Sequence, residues 1–136
     1  MKTQKLKIPS FLYLEIIAHA QEEWPNEACG ILAGTDDEIK RAYPLENQER
    51  SPERFSISAE DQLRILEDIE KNDLKMVGVY HSHPHTDPYP SETDIKYSIY
   101  PDVFTVIISL KRREKPRVCI FSLENSYVSE VEYTII

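Results

Sequence analysis

Cysteine is scarce in this sequence. The 136 residues include two cysteines, Cys29 and Cys119, which lie far apart and share no paired spacing. Neither a disulfide framework nor a zinc knuckle built from cysteines can therefore be inferred. We predict that both are free thiols in buried strands, and that Cys29 serves as a small apolar residue rather than as a nucleophile.

Positive charge and long apolar runs are also lacking. The chain has 16 Lys and Arg against 24 Asp and Glu, a formal net charge of -8. We expect no nucleic-acid partner, because binding to a phosphate backbone needs clustered basic residues, and the one cluster here, residues 111–117, is typical of a hairpin tip. No stretch approaches the roughly 20 apolar residues of a membrane span and no secretory leader is evident, so we expect no membrane partner and a cytoplasmic location.

Length and composition fit one ordinary domain. Apolar residues make up 40% of the chain and charged residues 29%, which is typical of a globular protein. No internal repeat or flexible linker is evident. We expect residues 1–136 to form a single domain, and the sequence leaves open whether it is a monomer or a homodimer.

Apolar periodicity predicts two longer helices. Ser10 and Ser58 are expected to cap them, and they should end near Pro25 and Asn72. The predicted apolar stripes are Leu12, Ile16 and Ala20 in the first helix, with Tyr13 and Ile17 beside them, and Leu63, Leu66 and Ile69 in the second.

Short apolar or alternating segments predict the strands. They are residues 28–34, 38–47, 54–58, 75–82, 103–110, 117–123 and 127–136. A short helix is expected within residues 91–100, capped by Ser91 and stopped before Pro101. The order of helix, strands, helix and strands predicts an α+β fold, a mixed α/β sandwich.

Three possible metal ligands fall within fourteen residues. His81 and His83 lie two apart at the end of a predicted strand, so their side chains point to the same face. Asp94 projects from the first turn of the next helix, which can fold back toward the imidazoles. Catalytic zinc typically takes three ligands of these types and leaves a fourth position for water. The pattern predicts a metal site.

Two further residues are candidates for chemistry at this metal. Glu27, at the start of another strand, could take a proton from the metal-bound water, and the Ser91 hydroxyl could stabilise an oxyanion. Each has a plainer interpretation. Glu27 alone is equally a surface acid, and Ser91 followed by Asp94 also fits a helix capping box.

These five residues resemble the JAMM metalloprotease signature. It reads Glu, then His-Ser-His-Pro, six residues, Ser, two residues and Asp, and is complete here as Glu27, residues 81–84, Ser91 and Asp94. The resemblance extends to NEACGILAG, SPERFSISAEDQLRIL, GVYHSHP, YPSETDI and the closing strands. Nearly the whole chain is similar to small bacterial JAMM peptidases that act with ubiquitin-like sulfur carriers.

The resemblance implies a fold and an activity. The fold would be the cytidine-deaminase-like JAB/MPN fold, with a curved, mostly antiparallel sheet flanked by two longer helices and one short helix. One Zn2+ per chain would be held by His81, His83 and Asp94, with Glu27 as general base and Ser91 supporting the oxyanion. The implied reaction is hydrolysis of the amide after the C-terminal Gly-Gly of a ubiquitin-like sulfur-carrier protein, by a peptidase or isopeptidase.

Other interpretations remain. The main alternative is a non-catalytic scaffold of the same fold, although such proteins typically lose ligands that this chain keeps. A structural zinc is disfavoured because it usually has four protein ligands. A kinship with DNA-repair-associated proteins is disfavoured by the acidic charge. We expect His85, His19 and Asp87 to lie outside the ligand set, the last two facing solvent, and Tyr80 and Tyr89 to flank the site.

Overall fold

A computed structural model of the chain describes residues 5–96, 98 and 102–136. The strands are β1 (Lys5–Ile8), β2 (Cys29–Gly34), β3 (Ile39–Leu45), β4 (Lys75–His83), β5 (Phe104–Ser109), β6 (Arg117–Ser122) and β7 (Ser129–Ile135). The α-helices are α1 (Ser10–Glu23), α2 (Ala59–Lys71) and α3 (Glu92–Lys96), and a short 3-10 helix spans Glu124–Ser126.

The seven strands form one curled sheet in the order β1-β7-β6-β5-β4-β2-β3. Two neighbouring pairs, β1 with β7 and β4 with β5, are parallel, and the others are antiparallel. The Lys7 amide donates to the Asp37 carbonyl at 2.8 Å, so edge strand β1 meets the turn that precedes the other edge strand, β3. The predicted α+β fold with a curved, mostly antiparallel sheet is confirmed.

The helices cover opposite faces of this sheet. Buried residues of α1, namely Leu12, Ile16 and Ala20, pack with one face, and α2 and α3 pack on the other. Because side chains alternate along a strand, the end of β4 places Tyr80 in the α1 layer and His81 in the opposite layer. The fold therefore turns the two histidines toward α3.

Of the caps predicted for the two longer helices, only one is confirmed. The Ser58 hydroxyl accepts a hydrogen bond from the Asp61 amide at 3.1 Å, as an N-cap should. Ser10 is instead the first residue of α1, and Pro9 precedes it without any side-chain cap. Pro9 supplies a rigid helix entry, so the serine is displaced from the capping position.

The predicted apolar stripe of α2 is wrong at two positions. The buried residues are Ile65 and Ile69, whereas Leu63 is 60% exposed and Leu66 is 39% exposed. The helix carries two overlapping apolar stripes, and the sheet contacts the one that contains Ile65. The stripe predicted for α1 is confirmed at all three positions.

The strands follow the predictions with two exceptions. The expected strand at residues 54–58 is a loop, and β1 was not predicted because its four residues, KLKI, alternate too briefly to stand out. Residues 97, 99 and 100 of the predicted short helix lie outside the described residues. Cys29 is buried as expected, but Cys119 is only partly so. None of the described helices is both long enough and apolar enough for a membrane crossing.

Candidate metal centre

The end of β4 builds one half of the site. This strand lies between β2 and β5, so hydrogen bonds on both sides fix its backbone. His81 and His83 are 2% and 5% exposed, and their Nε2 atoms are 3.3 Å apart. The two imidazoles therefore converge within a buried pocket, as the spacing predicts.

The start of α3 supplies the other half through a capping box. The Asp94 amide donates to the Ser91 hydroxyl oxygen at 3.0 Å, and the Ser91 amide donates to Asp94 Oδ2 at 2.9 Å. The same Oδ2 lies 3.1 Å from His83 Nε2 and 3.2 Å from His81 Nε2. The capping box thus aims the carboxylate at the imidazole pair.

The chemistry of these donors fits a metal ion. His83 Nδ1 lies 2.9 Å from the Asp87 carbonyl oxygen, which can only accept, so Nδ1 carries the hydrogen and neutral His83 keeps a lone pair on Nε2. Ligands about 2.0 to 2.1 Å from a tetrahedral zinc lie about 3.4 Å from one another. The three donor atoms are 3.1 to 3.3 Å apart, so His81, His83 and Asp94 could hold such an ion.

Electrostatics keep Asp94 in its anionic form. Burial alone would raise the pKa of this carboxyl, but the side-chain contacts with His81 and His83, the charge of His81 and the Ser91 amide hold it well below its usual range. An anionic oxygen is the form that a cation needs as a ligand.

Glu27 is a buried carboxyl with an unpaired oxygen. The residue is 3% exposed, and its Oε1 has no hydrogen-bond partner among the described residues. Burial, followed by the charges of Asp94 and Glu53, raises the pKa of Glu27 to about 9. A buried acid with a shifted pKa beside charged neighbours is a candidate for proton transfer.

Strand pairing places Glu27 at this end of the sheet. Ser82 on β4 donates its amide to the Ala28 carbonyl at 3.0 Å, and its hydroxyl oxygen accepts from the Ala28 amide at 2.8 Å. Glu27 directly precedes Ala28 in the chain, so it lies beside the end of β4 that bears the histidines. This long-range pairing has no local counterpart in the sequence.

Asn47 is a structural residue of the site that the sequence did not single out. Its side-chain amide donates to the carbonyls of Glu27 at 3.1 Å and Arg54 at 3.0 Å. Its oxygen accepts from the amides of Glu49 at 2.9 Å and Ser56 at 3.2 Å. One buried asparagine therefore connects the loop of residues 47–56 to Glu27. A single Asn in a polar stretch of sequence gives no indication of this role.

Phe55 is the second residue that sequence reasoning missed. Its ring stacks on the imidazole of His81, with centroids 4.7 Å apart and planes 24° from parallel. His81 Nδ1 is buried and has no hydrogen-bond partner among the described residues. The orientation of His81 therefore depends on stacking, whereas a hydrogen bond orients His83.

A cleft of about 410 Å³ opens beside the metal ligands. Its apolar walls include Ile31, Phe55, Ile57, Val79 and Val103, and its polar lining includes Glu49, Arg54 and Gln62. His81 and Asp94 also line it. An extended chain in this cleft would reach the metal ligands.

Several predictions for the neighbouring residues are corrected. Tyr80 does not flank the site, because it is fully buried in the α1 layer and its hydroxyl is 2.7 Å from His19 Nδ1. His19 is therefore half-buried against Tyr80 rather than fully solvent-facing. Tyr89 is 58% exposed and packs edge-on against Phe121, while Asp87 is exposed as predicted and His85 packs against Trp24 rather than joining the ligands.

Cys29 is unsuited to thiol chemistry. Burial, and then the charge of Glu27, raise the pKa of its thiol to about 12. Since the thiolate is the reactive form, the thiol is inert at neutral pH. The expectation that Cys29 is a small buried residue is confirmed.

A buried His, His and Asp group beside a buried Glu, at the end of a curled α+β sheet, defines a candidate metal-binding hydrolase. The chain belongs to the family described as prokaryotic homologs of the JAB domain, whose profile matches residues 9–122. The predicted resemblance to small prokaryotic JAMM proteins is confirmed.

Characterised relatives cover most of the chain. A Mycobacterium bovis protein named CysO-cysteine peptidase is 33% identical over 133 residues, which are 96% of this chain and 91% of that protein. A Haloferax volcanii protein named desampylase is 34% identical over 116 residues, 80% of this chain and 84% of that protein. These names support a hydrolase of the JAB type.

Solved structures share the fold. A Desulfitobacterium hafniense protein has a TM-score of 0.88 and 36% identity, covering 96% of this chain and 92% of its own. A JAB1/MPN domain protein from Archaeoglobus fulgidus has a TM-score of 0.64 and 20% identity, and the match covers 96% of this chain and 98% of that protein. The predicted JAB/MPN fold is therefore confirmed.

Proposed function

We propose that this protein is a zinc-dependent peptidase or isopeptidase that hydrolyses the amide after the C-terminal Gly-Gly of a ubiquitin-like sulfur-carrier protein. The observation that carries the proposal is the convergence of His81, His83 and Asp94 within 3.3 Å of one another, beside a buried Glu27 with an unpaired oxygen. The names of the relatives from Mycobacterium and Haloferax support an action on protein conjugates.

The three converging residues would hold one zinc ion per chain. Bound there, the ion would supply Lewis-acid polarisation of the scissile carbonyl and a lowered pKa for the attacking water. Two of the proposed metal ligands are already oriented in the metal-free protein, because the Asp87 carbonyl orients His83 and the capping box orients Asp94.

Glu27 is the proposed general base. A cation held by His81, His83 and Asp94 would offset the negative charge of Asp94 and lower the pKa that Glu27 has in the metal-free protein. The resulting carboxylate could take a proton from the attacking water and later return it to the leaving amine. The backbone around it is anchored, because the Glu27 amide donates to the Ser51 carbonyl at 2.8 Å and Asn47 binds its carbonyl. The base is therefore held in place on both sides of the residue.

Ser91 is the proposed oxyanion donor. Its hydroxyl oxygen accepts from the Asp94 amide, which leaves the hydroxyl hydrogen available to bind a developing negative charge. Ser91 would then serve both helix α3 and the reaction. The two interpretations of this serine, as a helix cap and as a catalytic donor, are compatible.

The cleft would receive the carrier's tail. Two of the proposed metal ligands, His81 and Asp94, line it, and its walls are mainly apolar. Glycine has no side chain, so a Gly-Gly sequence can pass closely beside the metal ligands where a larger residue would collide. The bond after the second glycine would then be the one that is cleaved.

The test uses a bacterial sulfur carrier extended by residues beyond its Gly-Gly end. The zinc-loaded wild type should shorten the carrier to Gly-Gly, as measured by intact mass. Glu27→Gln should retain stoichiometric zinc but lose at least about a hundredfold in rate, because the amide cannot accept the proton. His83→Ala should lose the zinc itself.

Two outcomes would contradict the proposal. Undiminished turnover by Glu27→Gln would remove Glu27 from the reaction. A wild type that binds zinc and the carrier yet never shortens it would favour the scaffold interpretation instead.

A further inference from the structure

Helix α2 exposes two leucines on the side that faces away from the sheet. Leu63 and Leu66 are 60% and 39% exposed. At about 100° per residue, Glu60, Glu67 and Glu70 project from the same side, and all three are exposed. We refer to these five residues as the α2 outer face. Two apolar side chains ringed by carboxylates are not explained by packing within the chain.

The α2 outer face is acidic. Two cations, Arg64 and Lys71, lie on its flank. The Arg64 guanidinium is 3.0 Å from Asp61, so one lysine is left beside the three glutamates. The whole chain has a net charge of -8. A complementary partner therefore presents an apolar patch with Lys and Arg at its rim.

This face adjoins the cleft that leads to the metal ligands. Gln62 in the first turn of α2 lines the cleft, as do Ser56 and Ile57 just before the helix. His81 and Asp94 line the same cleft. A protein whose C-terminal tail occupies the cleft would bring its folded body over the start of α2.

We propose that the α2 outer face docks the folded body of the carrier whose tail occupies the cleft, through a patch of apolar residues rimmed by Lys and Arg. This inference rests on the proposed function and names the surface that selects its substrate. Docking by the body supplies affinity that a short Gly-Gly tail lacks, and it sets which carrier is cleaved.

The test measures binding by titration calorimetry, with a bacterial ubiquitin-like sulfur carrier ending in Gly-Gly as the probe. The key variant combines Leu63→Ser with Leu66→Ser. Leu14→Ser is the matched control, since Leu14 is 62% exposed but lies on α1, on the other side of the sheet. A second variant, Glu67→Lys with Glu70→Lys, tests the charge.

The leucine variant should bind the carrier at least about tenfold more weakly, while Leu14→Ser stays within about twofold of the wild type. The lysine variant should also bind more weakly, and added salt should weaken binding of the wild type. A free peptide of the carrier's last residues should bind all variants equally. Zinc content and melting temperature, unchanged in the variants, verify their folding.

Unchanged carrier affinity in the leucine variant would overturn the docking proposal, and so would a wild type that does not bind the carrier. Cleavage is measured separately with the extended carrier, so a peptidase whose carrier affinity does not depend on Leu63 and Leu66 would contradict the docking surface alone. Binding that depends on Leu63 and Leu66 without any cleavage would support the docking surface and contradict the peptidase.

Discussion

Asp94 joins the chemistry of a helix end to that of the metal centre. Its Oδ2 accepts from the Ser91 amide at 2.9 Å and lies within 3.2 Å of both histidine Nε2 atoms. The capping box that starts α3 therefore also preorganises a ligand. A capping-box pattern alone does not indicate a metal site. It predicts a metal ligand here only because two histidines lie close by in the sequence.

His81 and His83 are oriented by different forces. The Asp87 carbonyl fixes His83, whereas His81 relies on the ring of Phe55, 4.7 Å away. Phe55→Ala should therefore weaken zinc binding about tenfold or more, because His81 would lose the contact that restricts its ring. The dissociation constant is measured by competition with a chelator.

Phe11→Ala is the control for this prediction. Phe11 is 64% exposed on α1, so its loss should leave the zinc affinity unchanged. Equal affinities for wild type and Phe55→Ala would show that the strand backbone alone orients His81.

At the scale of elements, local patterns predicted most helices and strands but the buried face of only one of the two longer helices. The stripe of Leu12, Ile16 and Ala20 was correct, although Phe11 and Leu14 make the opposite side of α1 apolar as well. In α2 the leucines and isoleucines offer two overlapping stripes, and only the position of the sheet decides between them. The loop at residues 54–58 alternates like a strand, but the sheet does not take it up as one.

The two serines predicted to cap the longer helices, Ser10 and Ser58, make a matched pair for mutation. Ser58→Ala should destabilise the protein by about 1 kcal/mol, because the Asp61 amide loses its acceptor. Ser10→Ala should be close to neutral, since Ser10 is already inside α1 and the helix has no side-chain cap. The free energy of unfolding in urea measures both.

Ser58→Asn serves as the rescue variant, because asparagine also caps helices well. A loss in Ser10→Ala as large as that in Ser58→Ala would contradict the assignment of the caps.

Across the whole molecule, the sequence predicted the ligands better than the base. His81, His83 and Asp94 are close in sequence, so strand alternation and one helix turn suffice to bring them together. Glu27 lies 54 residues before His81 in the chain and reaches the site only through the pairing of β2 with β4. The spacing of residues in the sequence carries no information about this strand pairing. Only the JAMM resemblance indicated that Glu27 belongs to the site.

The buried Glu27 also makes the stability of the metal-free molecule depend on pH. Its pKa is about 9 in the folded state against an ordinary value of 4.5, so folding takes up a proton between these limits. Its contribution to stability is fully present below the ordinary pKa and is lost as the pH rises toward the folded pKa. The metal-free wild type should therefore lose stability from this residue between about pH 5 and pH 8.

Glu27→Gln removes this dependence, because the amide stays neutral in both states. The metal-free variant should gain at least about 1 kcal/mol over the wild type between about pH 5 and pH 8, given about 1.4 kcal/mol per unit of pKa shift. Urea unfolding with a chelator present measures the difference at each pH. Glu132→Gln, which changes an exposed acid on β7, should show no such trend. A constant difference between wild type and Glu27→Gln across this range would mean that Glu27 is ionised in the folded, metal-free protein.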